Sequence, residues 1–326
     1  MITLILYISE WPWILLVMLA VYLAFEHWRF PDLTIEASFT AGMTAVHFAL
    51  THATTTTGRL SLFVLLAGGL PLLLSLATWS LSRLRLAPLF AGLLVTLAAY
   101  SLNYHLNGSQ TAQGLDLATA PASWKHLTGL NSSEISTILF LVTALALAAA
   151  FCLFDTSRLG RSILLARRTQ DPAAAVAIGL HPGRALFAGM CVYNSIAFMG
   201  GAGFAVQNSF SGVSFIAAIT PGIAGMFAVR AIKQHAGAPS VSRPPSWTTT
   251  VVRALLRWSD STSLVVLSIV ALSLLVTLMR FEIRGRAGPG MLNAYTAAAT
   301  IGLWILLATG ARLIGKRVTG ADDHAG

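Results

Sequence analysis

Charged side chains are scarce in this sequence. Of its 326 residues only 10% are Asp, Glu, Lys or Arg, whereas 56% are hydrophobic. A water-soluble domain carries charge on about a quarter of its residues. The deficit excludes an ordinary soluble enzyme, a disordered protein and a fibrous repeat, and it predicts a polytopic membrane protein.

Cysteines and clustered histidines are also few. Cys152 and Cys191 are the 2 cysteines, both in apolar segments, and no two of the 8 histidines are spaced i, i+4. This pattern provides neither a disulfide framework nor a metal site. We therefore expect no catalytic residue, no metal and no cofactor bound by this chain itself. The net charge of +9 does not imply a nucleic-acid partner, because membrane proteins retain Lys and Arg on their cytoplasmic side.

One glycine-rich segment has the spacing of a phosphate-binding loop. Gly310 to Lys316 follows the G-x-x-x-x-G-K pattern, but Arg317 stands where a Ser or Thr would bind magnesium. No strand is predicted before it. The chain is therefore not expected to hydrolyse ATP by this route, and any ATP would be used by a partner.

Long apolar runs dominate what the sequence does contain. A helix needs about 20 apolar residues to cross a bilayer, and eight runs satisfy that length: 7–25, 59–81, 86–103, 135–154, 184–205, 213–232, 262–280 and 293–314. A ninth segment, 35–50, is short and broken in character, which suggests a half-helix or a re-entrant segment. The predicted fold is all-α, one transmembrane domain over 1–326 with eight or nine spans.

The distribution of Arg and Lys predicts the orientation of these spans. Basic residues are concentrated in the loops 155–183 and 230–260 and in the C-terminal tail, so we place these segments in the cytoplasm. The loops 104–134 and 206–212 carry one cation and none, so we place them outside. Whether 35–50 crosses or re-enters the membrane decides the side of the N-terminus and stays open.

Two ionisable residues lie in the segment 35–50. Glu36 is a carboxylate at what the hydropathy pattern suggests is membrane depth, where a charge needs a partner or a cavity. It fits either an interfacial or helix-capping residue or a contact with a transported substrate. His47, three turns further on, fits either a packing residue or a ligand contact. In another span, Gly200–Gly203 predicts close helix contact through small residues.

The cytoplasmic loop 155–183 contains a short helix of small residues. Asp171 is suited to cap it and Pro172 to occupy its first turn, before the stretch Ala173–Leu180. Such a helix buries little apolar area alone. It fits either a solvated connection or a surface that docks on a partner.

Three segments resemble the permease subunits of ATP-binding cassette (ABC) importers of the branched-chain amino acid type. The likeness is to the branch of uncharacterised and tryptophan/tyrosine-type permeases. Phe30–Phe39 resembles that branch's F-P-D-L-T-V-D-G-S-F signature, and Leu86–Val95 with Tyr100–Asn103 resembles its next stretch. Leu159–Leu180 is similar to the loop by which such permeases couple to their ATPase.

The resemblance implies a function and a set of partners. Two permease subunits, identical or homologous, would enclose a path through the bacterial inner membrane for a small polar solute such as an amino acid. A cytoplasmic ATPase dimer would bind the ATP and magnesium, and a periplasmic binding protein would deliver the substrate. The residues carried over to the translocation path are Asp32, Thr34, Glu36 and Ser38, with His47 in the same segment. Those carried over to the ATPase coupling loop are Arg167, Asp171, Pro172, Ala177 and Gly179.

Two other classes compete with this interpretation. A stand-alone secondary transporter or channel usually places several ionisable groups in its spans, and the eight long runs are almost free of them. An integral membrane enzyme would need paired acids or histidines at one membrane face. The loop 104–134 offers only widely spaced candidates, so both alternatives are less favoured.

Overall fold

The structure is a computed structural model. It describes residues 2–28, 30–84, 86–110, 112–114, 142, 144–151, 154, 157, 160, 176, 181–208, 210–212, 269 and 273–274. The fold and the site below are those of these residues.

Five long helices form most of the described part. They are α1 (Ile2–Tyr22), α2 (Thr34–His52), α3 (Thr56–Arg83), α4 (Pro88–Leu106) and α5 (Pro182–Asn208). A π-helical turn, Leu23–His27, continues α1. Two three-residue strands, β1 (Ala112–Gly114) and β2 (Phe210–Gly212), pair antiparallel. Apart from this small ribbon, the described part is helical, as predicted.

Among the described residues, three helices are long and apolar enough to cross a bilayer: α3, α4 and residues Gly183–Val206 of α5. They coincide with the predicted runs 59–81, 86–103 and 184–205, which agrees with a membrane protein. The run 7–25 falls on α1 and the π-helical turn. The total of eight or nine spans stays a prediction, because four runs lie wholly or partly outside the described residues: 135–154, 213–232, 262–280 and 293–314.

Polar and apolar side chains are distributed as in a protein surrounded by lipid. Large apolar residues project outward from α3 and α4, with Leu65 70% exposed and Phe90 61% exposed. Polar groups are buried instead, among them Asp32, Thr34 and Asn194, each 0% exposed. Because this arrangement would be costly in water, it supports a bilayer around α3 and α4.

The central helix is α2, which contacts α1, α3, α4 and α5. Every residue from Thr34 to His47 is buried. Two glycines bring α2 close to α5: a Cβ at Gly42 would lie 2.0 Å from the Phe198 carbonyl oxygen, and one at Gly201 would lie 1.8 Å from the Phe39 carbonyl oxygen. The contact predicted for Gly200–Gly203 is therefore confirmed.

The structure has no break within 35–50, and whether this segment is a half-helix, re-enters or crosses the membrane stays a prediction. α2 is continuous over 19 residues, because its polar side chains satisfy their own helix and do not interrupt it. The Thr40 hydroxyl lies 3.1 Å from the Glu36 carbonyl oxygen, and the Thr51 hydroxyl lies 3.0 Å from that of His47. Gly42 is retained for close packing and does not bend the helix.

α1 and α2 form a hairpin along α5. Val17 in α1 lies beside Gly200, and Trp28, directly after the π-helical turn, lies beside Gly189. The contacts therefore run in opposite directions along the two segments, so α1 is antiparallel to α5. The chain then reverses through the segment Phe30–Leu33, and α2 runs parallel to α5. The reversal is buried: Phe30 and Asp32 are 2% and 0% exposed.

The two ends of the helix bundle are defined by contacts between remote segments. The ribbon β1–β2 joins the chain after α4 to the chain after α5. At the opposite end, the indole Nε1 of Trp79 in α3 donates to the carbonyl oxygen of Gly183 in α5, at 2.9 Å. The ends of α4 and α5 thus share one face, as predicted for the loops 104–134 and 206–212.

Candidate functional site

A cluster of buried polar side chains surrounds the start of α2. We call it the polar cluster; its members are Asp32, Thr34, Ser38, Ser75, Tyr193 and Asn194, none more than 1% exposed. They come from the reversal before α2, from α2 itself, from α3 and from α5. A single polar network therefore links four parts of the fold.

Asp32 is the acceptor at the centre of the polar cluster. Its Oδ1 accepts the backbone N–H of Thr34 at 2.9 Å, which gives a partner to one of the N–H groups that the first turn of α2 leaves unpaired within the helix. Its Oδ2 accepts the hydroxyls of Thr34 and Tyr193, each at 2.5 Å. Three donors thus stabilise a buried carboxylate through hydrogen bonds.

Asn194 connects the polar cluster to α3. Its Oδ1 accepts the Ser38 hydroxyl at 2.9 Å, and its Nδ2 donates to Ser75 Oγ at 3.0 Å. The Ser75 hydroxyl in turn donates to the carbonyl oxygen of Pro71 at 2.7 Å. The amide therefore uses both of its ends, as a buried amide requires.

Thr34 is shared between the two halves of the cluster. Its hydroxyl oxygen lies 2.5 Å from Asp32 Oδ2 and 3.3 Å from Asn194 Oδ1. One hydroxyl carries one proton, so it donates to one of these acceptors at a time. If Asp32 took up a proton and became a donor, the Thr34 hydroxyl would be free to turn toward Asn194.

α4 covers the cluster from another side. A Cβ at Gly92 would lie 2.2 Å from Asp32 Oδ1, so only glycine fits there. The Thr96 hydroxyl donates to the carbonyl oxygen of Leu33 at 3.0 Å, and Asn103 Nδ2 donates to Thr40 Oγ1 at 2.9 Å. The segments 30–39 and 86–95, remote in sequence, therefore meet at this site.

The five residues predicted for the translocation path fall into two groups. Asp32, Thr34 and Ser38 belong to the polar cluster on the α5 side of α2. Glu36 follows Thr34 by two residues, which is roughly 200° around the helix, so it lies on the opposite side. His47 follows Glu36 by three turns and shares that side. Glu36 and His47 are 2% and 8% exposed.

The predicted coupling residues are not placed by the structure. Arg167, Asp171, Pro172, Ala177 and Gly179 lie outside the described residues. Their assignment stays a prediction.

Sequence reasoning missed Tyr193, Asn194 and Ser75 as members of the site. A signal was available, because Asn194 is an amide in the middle of an apolar run, and intramembrane polar residues usually have a partner. Tyr193 gave no such signal, since tyrosine is also a common packing residue. Only its position beside Asp32 identifies its role.

The chemistry available at the polar cluster is hydrogen bonding and the transfer of protons between hydroxyl and carboxyl groups. Among the described residues, no group of three His, Cys, Asp or Glu is placed to hold a metal ion. Comparison of the chain with protein-family models, curated proteins and solved structures finds no match in any of the three. The function is therefore inferred from the sequence motifs and the geometry of the site.

Proposed function

We propose that this chain is the transmembrane permease subunit of an ABC importer. It would move a small polar solute such as an amino acid across the bacterial inner membrane, driven by separate ATPase subunits. The observation that carries the proposal is the buried start of α2, where two of the three motifs resembling this family come into contact. The C-terminus would lie in the cytoplasm.

The depth of the polar cluster supports a transport role. Tyr193 and Asn194 follow the first residue of α5 by 11 and 12 residues, which is roughly 17 Å along a helix of about 40 Å. With α5 across the bilayer, α2 would begin well inside it. Irregular backbone at membrane depth is tolerated only where protein or a cavity surrounds it, and transporters place substrate sites at such helix starts.

The contact between the two motifs is a second support. Gly92, which belongs to the second motif, lies against Asp32 of the first, and Thr96, one residue beyond Leu86–Val95, donates to Leu33. Position 92 has room only for glycine, and the Thr96 hydroxyl is a second donor to the Leu33 carbonyl oxygen, which also accepts the Glu36 N–H at 3.1 Å. The contact gives a physical reason for Gly92 to stand in this segment.

We propose two different roles for the predicted path residues. The side chains of Asp32, Thr34 and Ser38 are bonded inside the polar cluster, so we propose that they hold the reversal in place. Glu36 and His47, on the other side of α2, are the proposed contacts nearer the path.

The proposed partners follow from the family. A cytoplasmic ATPase dimer, carrying the ATP and magnesium, would bind the loop 155–183 through Arg167, Asp171, Pro172, Ala177 and Gly179. A second permease copy or a homologous permease would complete the path, and a periplasmic binding protein would supply the substrate.

One observation favours a second function, a stand-alone secondary transporter or channel. Asp32 is a fully buried carboxyl group with two hydroxyl donors on one oxygen. Ion-coupled carriers use such intramembrane carboxyl groups to bind protons. In that case Asp32 would be the coupling site.

Purification in mild detergent from the native membrane, followed by mass spectrometry, separates these functions. The proposal predicts that an ATPase subunit with a complete phosphate-binding loop is recovered with the chain. A chain recovered alone that moves solute in liposomes without ATP would contradict it and would support the secondary transporter.

A further inference from the structure

The last turn of α3 is attached to the first turn of α5 outside the polar cluster. Trp79 Nε1 donates to the Gly183 carbonyl oxygen at 2.9 Å, and the Trp79 ring packs on Phe187 with centroids 5.6 Å apart. The Arg83 guanidinium carbon lies 4.2 Å from the centroid of the Trp79 ring, a cation–π contact. Trp79 is thus held on both sides.

Arg83 also lies against the backbone of α5. A Cβ at Gly183 would be 3.0 Å from Arg83 Nη2, so the absence of a side chain there lets the guanidinium approach. This is the position at which the segment 155–183 enters α5. A displacement of that segment that moved the start of α5 would therefore act on Trp79 and Arg83 directly.

A second bond joins the same two helices. Ser75, one turn before Trp79, accepts the Nδ2 hydrogen bond of Asn194. α3 and α5 are therefore linked at two levels, Trp79 with Gly183 and Ser75 with Asn194. Sliding or tilting of one helix along the other would break at least one of these bonds.

We infer that Trp79 and Arg83 are positioning residues that make α3 and α5 move as one unit when the ATPase displaces the segment 155–183. The motion of α5 would then carry α3 and the polar cluster together. This inference rests on the proposed function, since the ATPase supplies the displacement. Neither residue contacts the polar cluster's carboxyl group, so their role is mechanical coupling and not substrate binding.

The test is a distance measurement in the complete complex. Nitroxide labels are placed on cysteines at Ser80 in α3 and Arg184 in α5, both exposed, with Cys152→Ser and Cys191→Ala in the background. The Ser80 hydroxyl bonds only its own helix, at the Leu76 carbonyl oxygen. Electron–electron distances are compared without nucleotide and with ATP and vanadate.

With Trp79 present, the mean distance should be the same in both states. Trp79→Phe keeps the aromatic packing but removes the Nε1 donor, and we expect the distance to shift or broaden with ATP and vanadate. Arg83→Gln, which removes the cation–π contact and the guanidinium beside Gly183 but keeps the Trp79 hydrogen bond, should give a smaller shift. Ser82→Ala, which removes a hydroxyl bonded to the Trp79 carbonyl oxygen within α3, is the matched control and should behave as the parent.

The possible failures are distinguishable. A parent chain that purifies without an ATPase overturns the proposed function and this inference with it. The inference alone is overturned if the complex assembles and binds ATP, but the distance between positions 80 and 184 is the same in both nucleotide states for Trp79→Phe and for Arg83→Gln.

Discussion

At the scale of single residues, Asp32 is the group whose surroundings are most constrained. Its two oxygens accept three hydrogen bonds, and α4 leaves room beside it only for the glycine at position 92. A buried carboxyl group that loses a donor is costly, because no water is available to replace it. Replacing a single neighbour of Asp32 should therefore change the free energy of unfolding by a measurable amount.

Replacing Tyr193 with Phe tests the contribution of one donor to Asp32. The variant keeps the ring contact with Trp28 and removes only the hydroxyl. We expect a loss of about 1–2 kcal/mol in the free energy of unfolding, measured by thermal unfolding in detergent. Tyr100→Phe on the exposed side of α4 is the control and should change little. Equal stability of the two variants would contradict the role of Tyr193.

Replacing Gly92 with Ala tests the contact between α4 and Asp32. The new Cβ would lie 2.2 Å from Oδ1, so Asp32 must move and give up hydrogen bonds. We expect lower stability, and we expect Tyr193→Phe to add less than its single effect when both changes are combined, since residues in one network are not additive. Full additivity in this double-mutant cycle would show that Gly92 and Tyr193 act separately.

At the scale of secondary structure, the sequence of α2 predicts a helical segment but not its continuity or its buried start. The polar residues of 35–50 predicted an interruption, yet Ser and Thr in a buried helix can bond to carbonyl oxygens of the preceding turn. What is unusual about α2 is its buried start, held by Asp32 and Thr96. The sequence predicted helix α5 together with its small-residue contact, because glycines within an apolar run let a neighbouring helix approach closely.

The glycine contact between α2 and α5 gives a prediction at this scale. Gly201→Ala would place a Cβ 1.8 Å from the Phe39 carbonyl oxygen, so the helices must separate. We expect a loss of about 2–3 kcal/mol in unfolding free energy, or loss of folded protein.

The matched control for Gly201→Ala is Gly69→Ala in α3. At Gly69 a Cβ would meet nothing within 4 Å, and alanine favours the helix by up to about 1 kcal/mol. This variant should be unchanged or slightly more stable in thermal unfolding. Similar melting temperatures for the two alanine variants would contradict the close contact of α2 with α5.

At the scale of the whole molecule, the described part exposes apolar side chains and holds one polar cluster inside a mainly apolar interior. The exposed apolar residues lie on α3 and α4, and the polar cluster lies around the start of α2. The ends of the bundle are set by β1–β2 on one face and by Trp79 with Gly183 on the other. These contacts relate the helices to each other and make the membrane orientation testable.

Cysteine labelling tests this orientation and the lipid-facing surface together. Single cysteines are placed at Gln110, Arg184 and Leu65 in a background with Cys152→Ser and Cys191→Ala. In spheroplasts, a membrane-impermeant maleimide should label position 110, and it should label position 184 only after permeabilisation. Position 65, although 70% exposed, should resist labelling in both conditions because lipid surrounds it. Labelling of position 65 from water would contradict a bilayer around α3.

The sequence by itself determined the helical class, the positions of α3, α4 and α5, and the close contact at Gly200–Gly203. These features depend on local composition, since an apolar run of sufficient length has few alternatives to a spanning helix. It also pointed to Asp32, Thr34 and Ser38, through their place in a motif.

Only the tertiary structure decided that these three residues bond to Tyr193 and Asn194, and that Gly92 covers Asp32. Those facts depend on how α2, α4 and α5 are packed against each other. Hydropathy does not encode that packing, because it shows neither which helices are neighbours nor which of their side chains face each other.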